Sequence, residues 1–477
     1  MSPGRLALIV GGGLAAASAA ALWPTPAPAV RLLFTGDVLL ARQVMAEMRR
    51  TEESPLDSVR PLFATAALVA GNLEGAIGSE RDCLARDTLM CFAFSDSAPA
   101  QLARAGFKAV FVENNHAGDL GAAGRVRTRD SFRSAGLPAV DYDHSPRFIR
   151  LGDLTVATIA VSLVRGADGQ VQSIPSVALA QKLRLARALA DLVVVSIHWG
   201  TELQDWPSES QRAAGQWLVE HGADLVIGHH PHVVQPPECV HGRPVFYSLG
   251  NFVFDQRYPE TKEGLIAECT VMSRRLRCGA LRTHTRLGSA MPVVRGRPEA
   301  SGLAHCDVRL AGPLTVSGYA LRPEPWPSSA SDNGVVIEGW RAGALRWATR
   351  SVDLVSLQSG LNDTGGGKLL LALERHASAM DGEYAIRPHV YAVEDRGLVA
   401  RWRGTALAWP LIDAVVDEHG RLCALHRGDS FIRIDPHVTS TRTMVYRWSG
   451  FGFSAVDDSG EGLNCASAMG AISAATP

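Results

Sequence analysis

From about Val30 to about Thr270, short apolar runs alternate with amphipathic stretches, the pattern of an α/β fold. The runs Arg31–Thr35, Phe107–Val112, Leu154–Val164, Leu192–Ile197, Leu225–Ile227 and Val245–Ser248 predict strands. Between them, Val38–Arg50, Ala122–Ala135, Ala178–Ala190 and Ser208–His221 carry helix-forming residues with apolar positions at helical spacing. Nearly every predicted strand ends in a polar or glycine-rich cluster. In open α/β sheets ligands bind beyond the carboxyl ends of the strands, so clusters far apart in sequence can meet at one edge.

Past about residue 275 the texture changes. The Pro- and Ser-rich segment Arg322–Asp332 reads as a linker or long surface loop, so residues 291–333 are expected to be irregular and residues 334–477 to form a second, β-rich unit. That unit contains an echo: Trp340-Arg341-Ala342-Gly343-Ala344-Leu345-Arg346-Trp347 matches Trp402-Arg403-Gly404-Thr405-Ala406-Leu407-Ala408-Trp409 at Trp, Arg, Ala, Leu and Trp, 62 positions on. The echo suggests repeated β units, at an interval longer than the ~40–50 residues of a propeller blade. Its tryptophans are expected in the core, because large aromatics dominate burial in small β domains.

Composition narrows the partners. With 47 Lys plus Arg against 48 Asp plus Glu, no net field recruits nucleic acid, and 46% apolar with 20% charged residues describes a folded chain. Arg5, the uncharged stretch Leu6 to Trp23 and Ala27-Pro28-Ala29 give residues 1–29 the look of a secretion signal, with an uncleaved membrane anchor as the alternative. The expected location is therefore exported, periplasmic or extracellular. Export places the eight cysteines in an oxidising compartment. None forms a Cys-x-x-Cys pair, which leaves a structural zinc site without support. Cys83 and Cys91 share one polar loop, as a local bridge or as two free thiols.

Read in order, the strand ends supply Gly36-Asp37, Gly71-Asn72-Leu73-Glu74, Asn114-Asn115-His116, His198-Trp199-Gly200 and Gly228-His229-His230-Pro231-His232. Carboxylate, amide and imidazole donors without thiolate suit one or two divalent metal ions such as manganese, iron or zinc. Taken singly, each piece has an ordinary explanation: Asp37 as a helix cap, Glu74 as a loop charge, Asn115 as a partner of local backbone. Three histidines within residues 229–232, just after an apolar strand, are harder to explain that way.

The order of these segments resembles the calcineurin-like metallophosphoesterases. With His198-Trp199-Gly200-Thr201-Glu202, Gly228 through Gln235 and Tyr247-Ser248-Leu249-Gly250-Asn251-Phe252, it resembles the CapA family of poly-γ-glutamate capsule biosynthesis proteins over roughly residues 30 to 270. The resemblance implies a four-layer α/β/β/α sandwich over residues 30–290. It implies Asp37, Glu74, Asn115, His198, His230 and His232 as metal ligands, His116 as a catalytic acid beside the substrate, and Asn251 and Gln235 as substrate-orienting amides. The implied chemistry is metal-assisted hydrolysis of a phosphoester or an anionic polymer, in the company of membrane-bound capsule synthesis or export proteins. A non-catalytic, polymer-handling component of an envelope assembly is the reading from another class, and a wall- or carbohydrate-binding C-terminal unit fits either.

Two positions depart from the pattern. Glu113 stands where a small residue is usual, and its charge either raises the pKa of His116 or faces solvent. Leu39 stands where the superfamily has the histidine of Asp-x-His, so the position served by Asp37, Glu74 and His232 has three protein ligands against four for Glu74, Asn115, His198 and His230. Two unequal metal sites are expected.

Overall fold

The computed structural model describes residues 29–456, apart from 85–89, 287–288, 297–300, 304, 326–333, 364, 378–381, 405–406, 408 and 429–439. All but the last residue of the expected signal segment, and the centre of the expected linker, lie outside the described residues. Among the described residues no helix is long and apolar enough to cross a membrane.

The chain is a mixed α/β structure of several sheets with a β-rich C-terminal region. Strands β1 (Val30–Val38), β2 (Leu68–Leu73), β3 (Ala109–Phe111) and β4 (Ala139–Val140) lie side by side in parallel. A second sheet holds β5 (Arg147–Leu151), β6 (Leu154–Ser162), β7 (Leu192–His198), β8 (Leu225–His229), β9 (Glu238–Val240) and β10 (Arg243–Phe246) in the order β9-β10-β8-β7-β6-β5. Its inner four strands are parallel and its edge strands antiparallel to their neighbours. The chain then returns to the first sheet through β11 (Asn251–Val253), β12 (Glu263–Met272) and β13 (Arg275–Thr285).

Alternation along the strands decides what packs where. Leu32 and Phe34 of β1 and Ala70 of β2 point into a core shared with Val156, Val194, Ile227 and Phe246 of the second sheet. Their neighbours Leu33 and Val69 face the other way, onto Val44, Leu102 and Phe132 of the helices Arg42–Thr51, Ala98–Ala105 and Gly121–Ser134. Val193, Val195 and Val226 likewise meet Leu183, Ala186 and Leu218 of the helices Val177–Leu189 and Glu209–Glu220. Strands buried on both faces read as unbroken apolar runs, which is why most of them stood out in the sequence, although β2 was not among those predicted. Each such side chain contributes roughly 1.5–3 kcal/mol by leaving water.

The predicted helices form within a few residues of expectation. Ser208 closes a capping box with Gln211 and starts Glu209–Glu220. The helix expected from Val38 begins only at Arg42, because β1 runs on to Val38 by changing partner. Up to Thr35 it pairs antiparallel with β12, and from Asp37 it pairs parallel with β11. Gly36 sits at the change-over, where a Cβ would lie 2.0 Å from the Gly250 carbonyl oxygen. Only glycine fits there, and the chain beyond it is steered toward the second sheet.

Residues 291–333 are not irregular throughout: Pro292–Val294, Val308–Arg309, Thr315–Val316 and Tyr319–Pro323 are strands. Three four-stranded antiparallel sheets follow one another, the first from Thr315 to Ala348, the second from Leu354 to Arg403, the third from Leu411 to Ala455. The tryptophan echo does not mark their repeat. Trp340 lies on the third strand of the first sheet and Trp402 on the fourth strand of the second. Trp347 is buried as expected, whereas Trp340 and Trp402 are half-buried. The helix Val177–Leu189 packs against the strands Tyr319–Pro323 and Leu354–Asn362, and Arg184 and Gln181 reach the buried Asp413 at 2.7 and 3.1 Å.

The Cys83–Cys91 bridge forms, as do Cys239–Cys306 and Cys269–Cys278, the last between directly opposed residues of β12 and β13. Cys423 is also disulfide-bonded.

Candidate metal centre

Strand register assembles the site. β1 and β2 place Asp37 opposite Asn72, two residues before Glu74, and β7 and β8 place His198 opposite His229. The carboxyl ends of the two sheets face each other, so the first contributes carboxylates and the second imidazoles. Nε2 of His198 lies 3.8 Å from Glu74 Oε1, and Nε2 of His232 lies 3.7 Å from the same oxygen. Nδ1 of His232 is 3.4 Å from Asp37 Oδ2. The donor atoms of Glu74, His198 and His230 fall within 4.8 Å of one another, as do those of Asp37, Glu74 and His232, with Glu74 common to both groups.

Close approach has a backbone cost. His230 and His232 adopt φ values of 96° and 59°, in the left-handed region that non-glycine residues rarely occupy. Gly228 before them admits the Tyr247 carbonyl oxygen, which a Cβ would meet at 2.1 Å.

Buried polar atoms usually have partners. Here both oxygens of Glu74, both ring nitrogens of His198, Nδ1 of His230 and Oδ1 of Asn115 are buried with no hydrogen bond. Glu74 and Asp37 are wholly inaccessible. A cluster of lone pairs without donors, from carboxylate, amide and imidazole, fits a borderline divalent cation. The protonation states of His198 and His230 agree. Burial, followed by the charge of His230, holds His198 well below the usual imidazole range, and burial with His232 pushes His230 down to about 4, so both rings keep their lone pairs at neutral pH. Burial also lifts Glu74 well above the carboxylate range. Burial lowers His232 too, but Glu74 and Asp37 outweigh it and raise that ring to about 9. Asp37, against the effect of burial, is held well below its usual range by the nearby His229 and His232.

The surrounding residues set orientation. Asn114 Nδ2 donates to Asn72 Oδ1 at 3.0 Å, and Asn72 Nδ2 donates to Asp37 Oδ1 at 2.9 Å. His116 Nδ1 is 2.9 Å from Asp119 Oδ2, and its ring stacks on Phe92 at 3.7 Å.

Three residues take places other than those expected. Asn251 is buried and accepts from His232 Nδ1 at 2.9 Å while donating to Gln256 and the Thr261 carbonyl. It orients the His232 ring. Gln235 is wholly buried, accepts from Gln211, and donates to the Gln204 and Trp206 carbonyls. With both amide N–H groups engaged, Gln235 is a tie for the 204–206 loop. Glu113 neither faces solvent nor touches His116; it is buried against Arg125, Gln172 and the Tyr142 N–H. Leu39 packs in the apolar core on the helix side of the first sheet.

Two residues were missed. His229 Nδ1 comes 3.0 Å from Asp37 Oδ1, too far off line for a hydrogen bond. Glu202, exposed on the loop after β7, joins His230 and His232 in a third possible group. Glu202 was visible in the sequence, but only the loop's path brings it to the histidines.

Residues 31–256 match the family described as bacterial capsule synthesis protein PGA_cap. The chain is similar to the PGA biosynthesis protein CapA of Bacillus subtilis (strain 168), 30% identical over 254 residues, covering 49% of this chain and 66% of that one. It is similar to the capsule biosynthesis protein CapA of Bacillus anthracis, 30% identical over 257 residues, covering 50% and 62%. A probable polyglutamine synthesis accessory protein of Mycobacterium tuberculosis is 25% identical over 208 residues, covering 39% and 54%. The matched stretch is thus less than two thirds of these relatives' own length.

Proposed function

Because this chain belongs to the CapA family, we propose that it serves the synthesis, export or release of poly-γ-glutamate as an exported, metal-dependent hydrolase. The carrying observation is the set of buried, partnerless donors on Glu74, His198, His230 and Asn115 at the facing ends of two sheets. The two facing sheets with helices on their outer sides are read as the α/β/β/α sandwich of the metallophosphoesterases.

Glu74, His198, His230 and Asn115 would hold one divalent ion, and Asp37, Glu74 and His232 a second. Such an ion supplies Lewis acidity and brings the pKa of water from 15.7 toward ~7. The chain's own groups do the rest. Asn72 and Asn251 fix Asp37 and His232, and β2 carries Glu74 between the two sets. Asp119 keeps the proton of His116 on Nδ1 and the stacked Phe92 fixes the ring plane, so Nε2 is the nitrogen that exchanges a proton with a leaving group. The oxidised cysteine pairs support export. Membrane-bound capsule proteins are the proposed companions and an anionic polymer or phosphoester the proposed substrate.

The test is metal content of protein purified without chelator, in wild type and His230→Ala, together with hydrolysis of model phosphodiesters and poly-γ-glutamate by native and metal-stripped protein. Retained metal and metal-dependent product support the reading. Polymer binding without product would replace it with a non-catalytic, polymer-handling role, and absence of divalent metal after reconstitution would end it.

A further inference from the structure

A second cluster of imidazoles lies in the C-terminal region, on one face of the hairpin made by Lys368–Ala377 and Tyr384–Glu394. Nε2 of His376 and Nε2 of His389 are 3.1 Å apart. His389 is buried and His376 half-buried.

The partners of the other ring nitrogens determine what these two present to each other. His376 Nδ1 is 2.9 Å from the Ala377 carbonyl, which only accepts, so Nδ1 carries the proton. His389 Nδ1 lies 3.2 Å from Glu374 Oε2 and 3.1 Å from the Tyr391 hydroxyl oxygen. That hydroxyl donates its own proton to Glu374 Oε1 at 2.7 Å. Glu374 accepts from Tyr391 through Oε1 and turns Oε2 toward His389 Nδ1. His389 Nδ1 is therefore a donor as well. With a proton on each Nδ1, the two Nε2 lone pairs face each other at hydrogen-bond distance, which is repulsive unless a cation lies between them.

We propose that His376 and His389 bind a borderline first-row cation such as zinc or copper through their Nε2 atoms, with Glu374 and Tyr391 as the outer partners of His389. Two imidazole nitrogens each ~2.0–2.1 Å from one ion lie roughly 2.9–3.4 Å apart for bond angles near 90–110°. The arrangement of carboxylate, histidine and open Nε2 is the usual support of a metal-ligating ring. No third His, Cys, Asp or Glu donor joins the pair within reach among the described residues. The remaining positions belong to water or to an incoming ligand, and the ion exchanges readily. This site is independent of the centre at Glu74, and shares no residue with it.

The experiment is a copper(II) titration of the chelator-stripped full chain followed by electron paramagnetic resonance. It uses wild type, His198→Ala to weaken the first centre, and that variant combined with His376→Ala, His389→Gln or Glu374→Gln. The expected result in His198→Ala is one equivalent with two-imidazole character, besides any copper kept by Asp37, Glu74 and His232; that equivalent is lost by at least tenfold in affinity on adding His376→Ala or His389→Gln, and weakened 10–100-fold by Glu374→Gln. His376 is half-buried, so its alanine variant tests the site without emptying the core. An unchanged two-imidazole signal in the His376→Ala combination, or none in His198→Ala alone, overturns the proposal; in the latter case the rings share a proton only.

Discussion

The cluster at the sheet ends and the contact at Asp413 handle buried polar groups in opposite ways. At the carboxyl ends of the two facing sheets, Glu74 and His198 are buried and unpaired. On the C-terminal side, Asp413 is equally buried but bound by Arg184, Gln181 and the Ala414 N–H. Unpaired buried groups cost stability, and a carboxylate and imidazoles gathered in one place without hydrogen-bond partners are groups that a cation would satisfy. Paired ones join regions. The contrast separates residues whose loss removes a ligand from residues whose loss opens the structure.

The largest effect is expected at the centre. His198→Ala and Asp37→Ala should reduce metal retention at least 100-fold with secondary structure unchanged, by elemental analysis and circular dichroism. Collapse of both variants into insoluble protein would show instead that they are structural. Titration calorimetry of stripped protein should show two unequal steps, since Leu39 supplies no lone pair. Two equally tight sites, or no second step at millimolar metal, would contradict that asymmetry.

Asp413→Ala should do the reverse, leaving metal content intact while costing ~3 kcal/mol, because it strands Arg184 and Gln181. Urea denaturation measures it, and a loss below ~1 kcal/mol would break the comparison.

Lys182, beside Asp413's helix contacts, gives a pH test away from the metal. Burial pushes its ammonium down to about 8 from 10.5, where it donates to the Ser145 carbonyl at 2.9 Å. Between those values the unfolded chain holds the proton and the folded chain does not, so stability rises with pH, in full above 10.5 and lost as pH falls through about 8. The rise amounts to about 3 kcal/mol, and its persistence in Lys182→Met would exclude this group as the cause.

The smallest effect is assigned to Gln235→Ala, about 1–2 kcal/mol from the untied 204–206 loop. Unchanged stability with a raised KM would return Gln235 to substrate binding.

The candidate centre was legible in the sequence because the proposed ligands sit where apolar strands stop, near Gly36, Gly71 and Gly228. What it could not display was occupancy. Gln235 and Asn251 stand in the right motifs, yet only the packed structure reveals that Gln211 and His232 already engage them. His229 was hidden by its neighbours, since three adjacent imidazoles give no sign of which faces Asp37. The C-terminal sheets were legible as β-rich but not as three units, because their strands alternate weakly and the Trp340 and Trp402 echo falls on non-equivalent strands.

The Cys239–Cys306 bridge links the edge strand β9 to the segment just before Val308–Arg309, which pairs with β13 of the other sheet. The covalent path between them is a closed circle of backbone that contains Asn251, with the smaller Cys269–Cys278 circle inside it. A protease that nicks one bond between residues 240 and 305 therefore releases nothing: the cut chain migrates as a single particle until a reductant parts it into two fragments. The strand that orients His232 stays tethered at both ends after a first cleavage.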